Sequence, residues 1–106
     1  MAQAPSQALS GIRVIDMTHN QAGPACAQIL GFFGADVIKL EEPKGGDVAR
    51  AQNKDELFFL VLNANKRSLT LNLKTEEGKA LFRKLVAKSD VLIENFRPGA
   101  LERWGL

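Results

Sequence analysis

Apolar residues along the chain cluster in two recurring patterns, short β-branched runs and longer stretches with helical spacing. IRVIDM at 12–17 and ADVIKLEE at 35–42 have the length and composition of strands. Between them the spacing predicts a helix that opens at Pro24, carries Ile29, Leu30, Phe32 and Phe33 on its apolar side, and stops at Gly34. Strand, helix and strand within about 30 residues make a βαβ unit, which requires parallel strands and a right-handed crossover.

PKGGDVARAQNKDE at 43–56 is polar and glycine-containing, and reads as a long loop. LFFLVLNAN at 57–65 fits a short buried helix or a strand equally. In SLTLNLK at 68–74, Leu69, Leu71 and Leu73 alternate with polar neighbours, the period of a half-buried strand. Thr75 then caps a helix with Glu76 and Glu77 in its first turn and Leu81, Phe82, Leu85 and Val86 as its apolar stripe, ending at Lys88. DVLIENF at 90–96 is a further strand, RPG breaks it, and ALERWGL at 100–106 begins another helix. Strands alternating with helices predict a Rossmann-like α/β fold, with a mainly parallel sheet of three or four strands and flanking helices. Two or three helices are few for covering both faces of such a sheet, which fits a partial domain of a longer chain or one that depends on a partner. Residues 1–9 read as a loose lead-in and 10–106 as the structured segment.

With 106 residues, 45% hydrophobic and 25% charged, the chain suits one globular domain with a modest core. A net charge of +2, from scattered basic residues, offers no broad field for nucleic acid, and a small anionic ligand fits better. No apolar stretch approaches the length that spans a bilayer, so no membrane partner is expected. The single cysteine, Cys26, excludes an internal disulfide framework and a multi-thiolate metal site; with no secretion-signal pattern at the N-terminus, a cytoplasmic location is expected.

Ligands of open α/β sheets bind at the carboxyl ends of strands. DMTHNQAGPACAQ at 16–28 lies there, with His19, Asn20 and Gln21 before a helix whose free N–H groups can hold an anion, and Ala22, Gly23, Ala25 and Ala27 small enough for close approach. A solvated connector explains the same polar residues. The loop has neither G-x-G-x-x-G nor G-K-[ST], so it gives no support to ordinary dinucleotide or nucleoside-triphosphate binding. Cys26 reads as a small packed residue rather than a nucleophile, and His19, as the only histidine, builds no triad and no metal site. Glu41 and Glu42 are placed to meet a ribose hydroxyl or simply to face solvent. Gly45 and Gly46 in KGGD make a turn that can expose backbone N–H groups. Lys66 and Arg67 fit a solvated edge, with phosphate contact as the other reading. Asn95, Phe96, Arg97 and Arg103 are the more suggestive group, Phe96 to pack on a planar base and the arginines to meet phosphates, with Trp104 as a packing anchor.

GIRVIDMTHNQAGPACAQILGFFGADVIKLEEPKGGDVAR, NANKRSLTLNLKTEEGK and SDVLIENFRPGALERWG together resemble the amino-terminal part of family III CoA-transferases, the carnitine CoA-transferase and formyl-CoA transferase group, from about Leu9 to Leu106. The resemblance implies an N-terminal CoA-binding segment of a longer chain, two subunits interlaced as a homodimer, and acyl-CoA and a carboxylic acid as substrates without a metal. It also implies that an aspartate downstream of these residues attacks the thioester and passes CoA on through an aspartyl-CoA thioester. None of Asp16, Asp36, Asp47, Asp55 and Asp90 matches that motif. By the same resemblance, CoA and active-site contacts fall on Gln21, as a supporting residue, and Ala22, on Leu71, Asn72, Leu73 and Lys74, on Asn95, Phe96 and Arg97, and on Arg103. Glu42 departs from the pattern, standing where similar formyl-CoA transferases have a basic residue. An acyl-CoA racemase of the same superfamily is the first alternative, although NQAGPACAQ is similar to the formyl-CoA transferase form and racemases tend to have an apolar residue in place of Gln21. A non-catalytic CoA-binding or assembly fragment is the second.

Overall fold

The computed structural model describes residues 6–52 and 56–106. The βαβ unit consists of β1 (Arg13–Asp16), α1 (Ala22–Phe32) and β2 (Asp36–Glu41); α2 (Ala49–Gln52) and α3 (Leu57–Leu62) lead to β3 (Arg67–Thr70). α4 (Glu76–Ala87), β4 (Val91–Ile93) and α5 (Ala100–Arg103) complete the order. All pairings are parallel in a four-stranded sheet of order β3-β2-β1-β4, with Val14 opposite Val37 on one side and Val91 on the other.

The side-chain alternation of strands divides the apolar residues between two cores. Val14 and Val37 pack with Ala27 and Ala35 under α1, joined by Leu9, Ile12, Leu30 and Ile93. Ile15, Met17 and Leu40 pack with Phe82 of α4 on the opposite face, where Leu71, Leu73, Leu85, Phe96, Leu101 and Leu106 surround them. The central strands β1 and β2 are therefore buried on both faces, as the interior of a parallel sheet requires, while the edge strands β3 and β4 stay largely exposed.

Several boundaries differ from the sequence reading. α1 begins at Ala22, two residues before Pro24, which sits in the first turn where a missing N–H costs nothing. Its buried residues are Pro24, Ala27 and Gly31, while Ile29, Phe32 and Phe33 are more than half exposed. Close approach to the sheet decides this, because a Cβ on Gly31 would already lie 3.3 Å from Val37. In α4, Phe82 and Leu85 face the core, but Leu81 is 55% exposed. Thr75 caps α4 as its sequence predicts, its Oγ1 accepting from the Gly78 N–H at 3.0 Å.

The polar stretch 43–56 holds the short helix α2, started by Asp47 accepting from the Ala49 N–H at 2.8 Å; Asp55 lies outside the described residues. The open reading of 57–65 resolves to a helix, because its Phe59 is buried whereas Leu57, Leu60 and Val61 are exposed. β3 is an edge strand of four residues whose side chains are all exposed, and Leu71 and Leu73 lie beyond it, packed on the second core. Pairing in 90–96 is confined to Val91–Ile93. Of the lead-in, residues 1–5 lie outside the described residues, and Leu9 is tied to the end of α1 by its N–H donating to Phe33 O at 2.8 Å. No helix among the described residues is long and apolar enough to cross a membrane.

Candidate functional site

From β1 the chain winds outward through β2 to β3, then crosses back to place β4 on the other side of β1. The carboxyl ends of β1 and β4 thus flank the point where the winding reverses, where α/β sheets form their binding crevice. The loops after these two strands are latched together. The His19 N–H donates to Asn95 Oδ1 at 3.0 Å, and Asn95 Nδ2 donates to His19 O at 2.8 Å.

Around this point lies a cleft of about 630 Å³, built from the carboxyl end of every strand. Met17 and His19 come from the end of β1, Leu40 to Lys44 from that of β2, Leu71 to Lys74 from that of β3, and Phe96 from that of β4. Lys79 of α4 and Arg103 and Trp104 of the last helix close it. Phe96 sits between two rings, 5.8 Å from His19 and edge-on to Trp104 at 5.1 Å, giving the cleft one aromatic wall.

Of the residues singled out from sequence, Leu71, Asn72, Leu73, Lys74, Phe96 and Arg103 line this cleft together. Gln21 and Ala22 stand outside it, exposed at the start of α1, and Arg97 is exposed beyond β4. Asn95 acts on the neighbouring backbone, because both ends of its amide are taken up by His19. Trp104 lines the cleft as well as packing on Phe96, so the anchor reading was too narrow. Lys44, which opens the KGGD stretch singled out for its glycines, and Lys79, five residues after Lys74, line the cleft without having been read from the sequence as cleft residues. Cys26 is exposed and free, not packed. Among the described residues no group of three His, Cys, Asp or Glu side chains could hold a metal ion.

Beneath the cleft lies a buried ion network that sequence patterning left unread. Lys39 and Lys66, each with a side chain 2% exposed, point into the sheet end from β2 and from the residue before β3. Lys66 Nζ donates to Asp16 Oδ2 at 2.7 Å, Asn63 Oδ1 at 2.8 Å and Pro24 O at 2.9 Å. This corrects the solvated-edge reading of Lys66, whereas Arg67 does sit at the exposed edge, paired with Asp36. Lys39 Nζ lies 2.7 Å from Asp47 Oδ2 as an ion pair and donates to Thr18 O at 3.0 Å. Thr18 in turn donates from both its N–H and its hydroxyl to Asp16 Oδ1, fixing the start of the first loop.

Glu41 faces neither ribose nor solvent. Its carboxylate is buried, accepting from Arg50 Nε and Nη2 at 2.7 and 2.8 Å, from the Asp47 N–H at 2.9 Å and from Ser68 Oγ at 2.8 Å. Burial pushes this carboxyl upward, but Arg50, the Asp47 N–H and Ser68 outweigh it and hold the pKa down at about 2. Asp47 is likewise held below the usual carboxylate range, with burial opposed by Lys39, the Ala49 N–H and His19. Burial lowers the Lys66 pKa against the pull of Asp16. Three acids, Asp16, Asp47 and Glu41, are thereby matched by three cations, Lys39, Lys66 and Arg50. A balanced, hydrogen-bonded set of this kind is costly to break at any one member.

The model of CoA-transferase family III matches residues 9–106. This chain belongs to that family. Two relatives are both named formyl-CoA:oxalate CoA-transferase: one from Bradyrhizobium diazoefficiens is 51% identical and one from Streptomyces avermitilis 53% identical, each over 94% of this chain and 25% of the relative. The chain thus spans about a quarter of the length of these CoA-transferases. The crystal structure of a hypothetical protein from Mycobacterium tuberculosis superposes with a TM-score of 0.91 at 44% identity, over 97% of this chain and 29% of that one. A CAIB/BAIF family protein from Brucella suis superposes with a TM-score of 0.90 at 40% identity, over 96% of this chain and 29% of its own. The family's N-terminal α/β architecture is therefore the one described above, including the parallel sheet and the flanking helices.

Proposed function

We propose that this chain forms the CoA-binding segment of an enzyme that moves CoA from an acyl-CoA to a carboxylic acid. The observation that carries the proposal is the convergence of Lys74, Phe96 and Arg103 on one cleft at the switch point of the sheet, in a family III chain. A thioester of CoA has the matching parts: a planar base for the aromatic wall and phosphates for the cations. An aspartate carboxylate outside these residues attacks the thioester carbonyl and expels CoA thiolate, leaving a mixed anhydride; the thiolate attacks the aspartyl carbonyl and releases the donor acid, leaving an aspartyl-CoA thioester. The acceptor carboxylate then attacks that thioester, and the expelled thiolate takes the acceptor's acyl carbon from the new anhydride, which frees the aspartate. Every Asp among the described residues is engaged elsewhere: Asp16 with Lys66, Asp36 with Arg67, Asp47 with Lys39, and Asp90 with the Arg13 N–H. The assembly is an interlaced homodimer in the cytoplasm, and residues 1–106 alone have no turnover. The relatives' names make formyl-CoA and oxalate the first substrates to assay.

The test is to incubate the intact protein with formyl-CoA and oxalate, follow CoA transfer by chromatography, and trap the aspartyl-CoA adduct by mass spectrometry. Transfer with an adduct on an aspartate beyond residue 106 is the expected result. Exchange of the proton next to a thioester carbonyl, with neither adduct nor transfer, would establish the racemase reading instead.

A further inference from the structure

The cleft is lined by four cations, Lys44, Lys74, Lys79 and Arg103, and two carboxylates, Glu41 and Glu42. These do not oppose one another evenly. Both oxygens of Glu41 accept hydrogen bonds from within the protein, so its charge is answered by Arg50 and only Glu42 presents an uncompensated negative charge to the cleft. We infer that Lys44 and Lys79 are anion-binding residues of the cleft, which join Lys74 and Arg103 in taking the phosphate groups of a CoA-type ligand. The inference rests on the CoA reading above and adds two residues that neither patterning nor family resemblance singled out.

Each lysine is placed for the role by its surroundings. Lys44 lies on the turn after β2, where Gly45 and Gly46 hold φ of +85° and +68°, and the turn ends on the buried ion pair of Asp47 with Lys39 at 2.7 Å. That anchor fixes the turn at the cleft rim, and among the described residues no acid lies within ion-pair distance of the Lys44 ammonium. Lys79 is held differently. Its side chain is only 19% exposed, so its stem is packed, and its ammonium has just one weak partner, Glu76 at 3.4 Å, whose carboxylate is 85% exposed. An exposed pair of that kind yields readily to a phosphate, which brings a higher charge and several acceptor oxygens. The diphosphate and 3′-phosphate of CoA spread their charge over a length that two cations cannot cover, and four cations distributed around one cleft match it. Glu42, two residues from Lys44, then acts against the same phosphates.

The experiment measures CoA, 3′-dephospho-CoA and pantetheine binding to the intact protein by calorimetry at low and high salt. Lys44→Met and Lys79→Met keep the apolar stems, and Lys44→Arg and Lys79→Arg keep the charge. Each Met variant is expected to weaken CoA binding about three- to tenfold at low salt, in line with partly exposed charge pairs, with the loss shrinking as salt rises. The Arg variants retain binding, pantetheine binding is unchanged in all of them, and Glu42→Gln tightens CoA binding. Opposite signs at Glu42 and Lys44, on one turn, would not arise from local unfolding. Unchanged CoA affinity in both Met variants, with wild-type protein binding CoA, overturns the assignment of the lysines and leaves the CoA reading intact. Failure of wild-type protein to bind CoA overturns both, and equal losses for pantetheine and CoA would show damage to the cleft rather than lost phosphate contacts.

Discussion

His19 and Asn95, 76 residues apart, are joined through one side-chain amide that serves both backbone groups of His19 at 3.0 and 2.8 Å. The pair ties the loop after β1 to the loop after β4 at the mouth of the sheet. The Asn95 amide carries its acceptor and its donor on two separate atoms, so it meets the N–H and the C=O of His19 at once. Asn95→Ala is expected to lower stability by about 1–2 kcal/mol, the net value of two hydrogen bonds, and to weaken CoA binding by loosening the cleft wall. Urea unfolding and a CoA titration on the same variant check both. Unchanged binding would show that the two loops hold their positions without the latch.

Lys66 and Asp16 form a buried ion pair at 2.7 Å, with side chains 2% and 0% exposed. Removing one partner leaves a buried charge unanswered, so Lys66→Met is expected to cost about 3–5 kcal/mol. Combining it with Asp16→Asn removes that penalty, and the double variant should be more stable than the sum of the single effects. A double-mutant cycle by thermal unfolding measures the coupling, and additivity would mean that Asp16 finds its compensation in Lys39, 3.8 Å away.

Glu41 gives the acid limb of stability. Its folded pKa of about 2 lies below its ordinary 4.5, so the stabilisation is complete above pH 4.5 and is lost as pH falls through 2. The shift corresponds to at most about 3.5 kcal/mol for this buried carboxylate. Denaturant midpoints between pH 6 and 2.5 should fall for the wild-type protein and flatten for Glu41→Gln, which would start lower at neutral pH. An equally steep fall in the variant would assign the acid limb to Asp36 and Asp47, which are also held low.

Gly78 controls the shape of the cleft from behind. A Cβ at this position would lie 1.8 Å from the backbone oxygen of Asn72, in the segment that brings Leu71 to Lys74 into the cleft. Gly78→Ala is therefore expected to destabilise by about 1–3 kcal/mol and to weaken CoA binding, although alanine is the better helix former. A variant with normal affinity would show that the 71–74 segment moves without consequence for the ligand.

Much of the fold was legible because its signals are local. Thr75 with Glu76 and Glu77 announces α4, and the β-branched runs around Val14 and Val37 announce parallel strands, since both patterns reflect backbone preference and burial on one element. The small helix α2 escaped because its start depends on Asp47 being held by Lys39, a residue on another element. The buried face of α1 escaped for a related reason: close packing on the sheet selects Ala27 and Gly31, while patterning favours the larger Ile29, Phe32 and Phe33.

The sequence by itself determined the α/β class, the four strands and the helices α1 and α4 between them, the family, and the carboxyl-end segments that hold Lys74 and Phe96. Only the tertiary structure decided which charges face the cleft and which are consumed inside it. Glu41 and Lys66 look like surface residues in one dimension, but a parallel sheet brings residues from distant segments to the same end, and there their charges meet partners more than eight and up to 50 positions away. Burial without water makes those meetings obligatory, and it leaves the charges of Lys44, Lys74, Lys79 and Arg103 on the cleft lining, Lys79 with only an exposed carboxylate, that of Glu76, as its ion-pair partner.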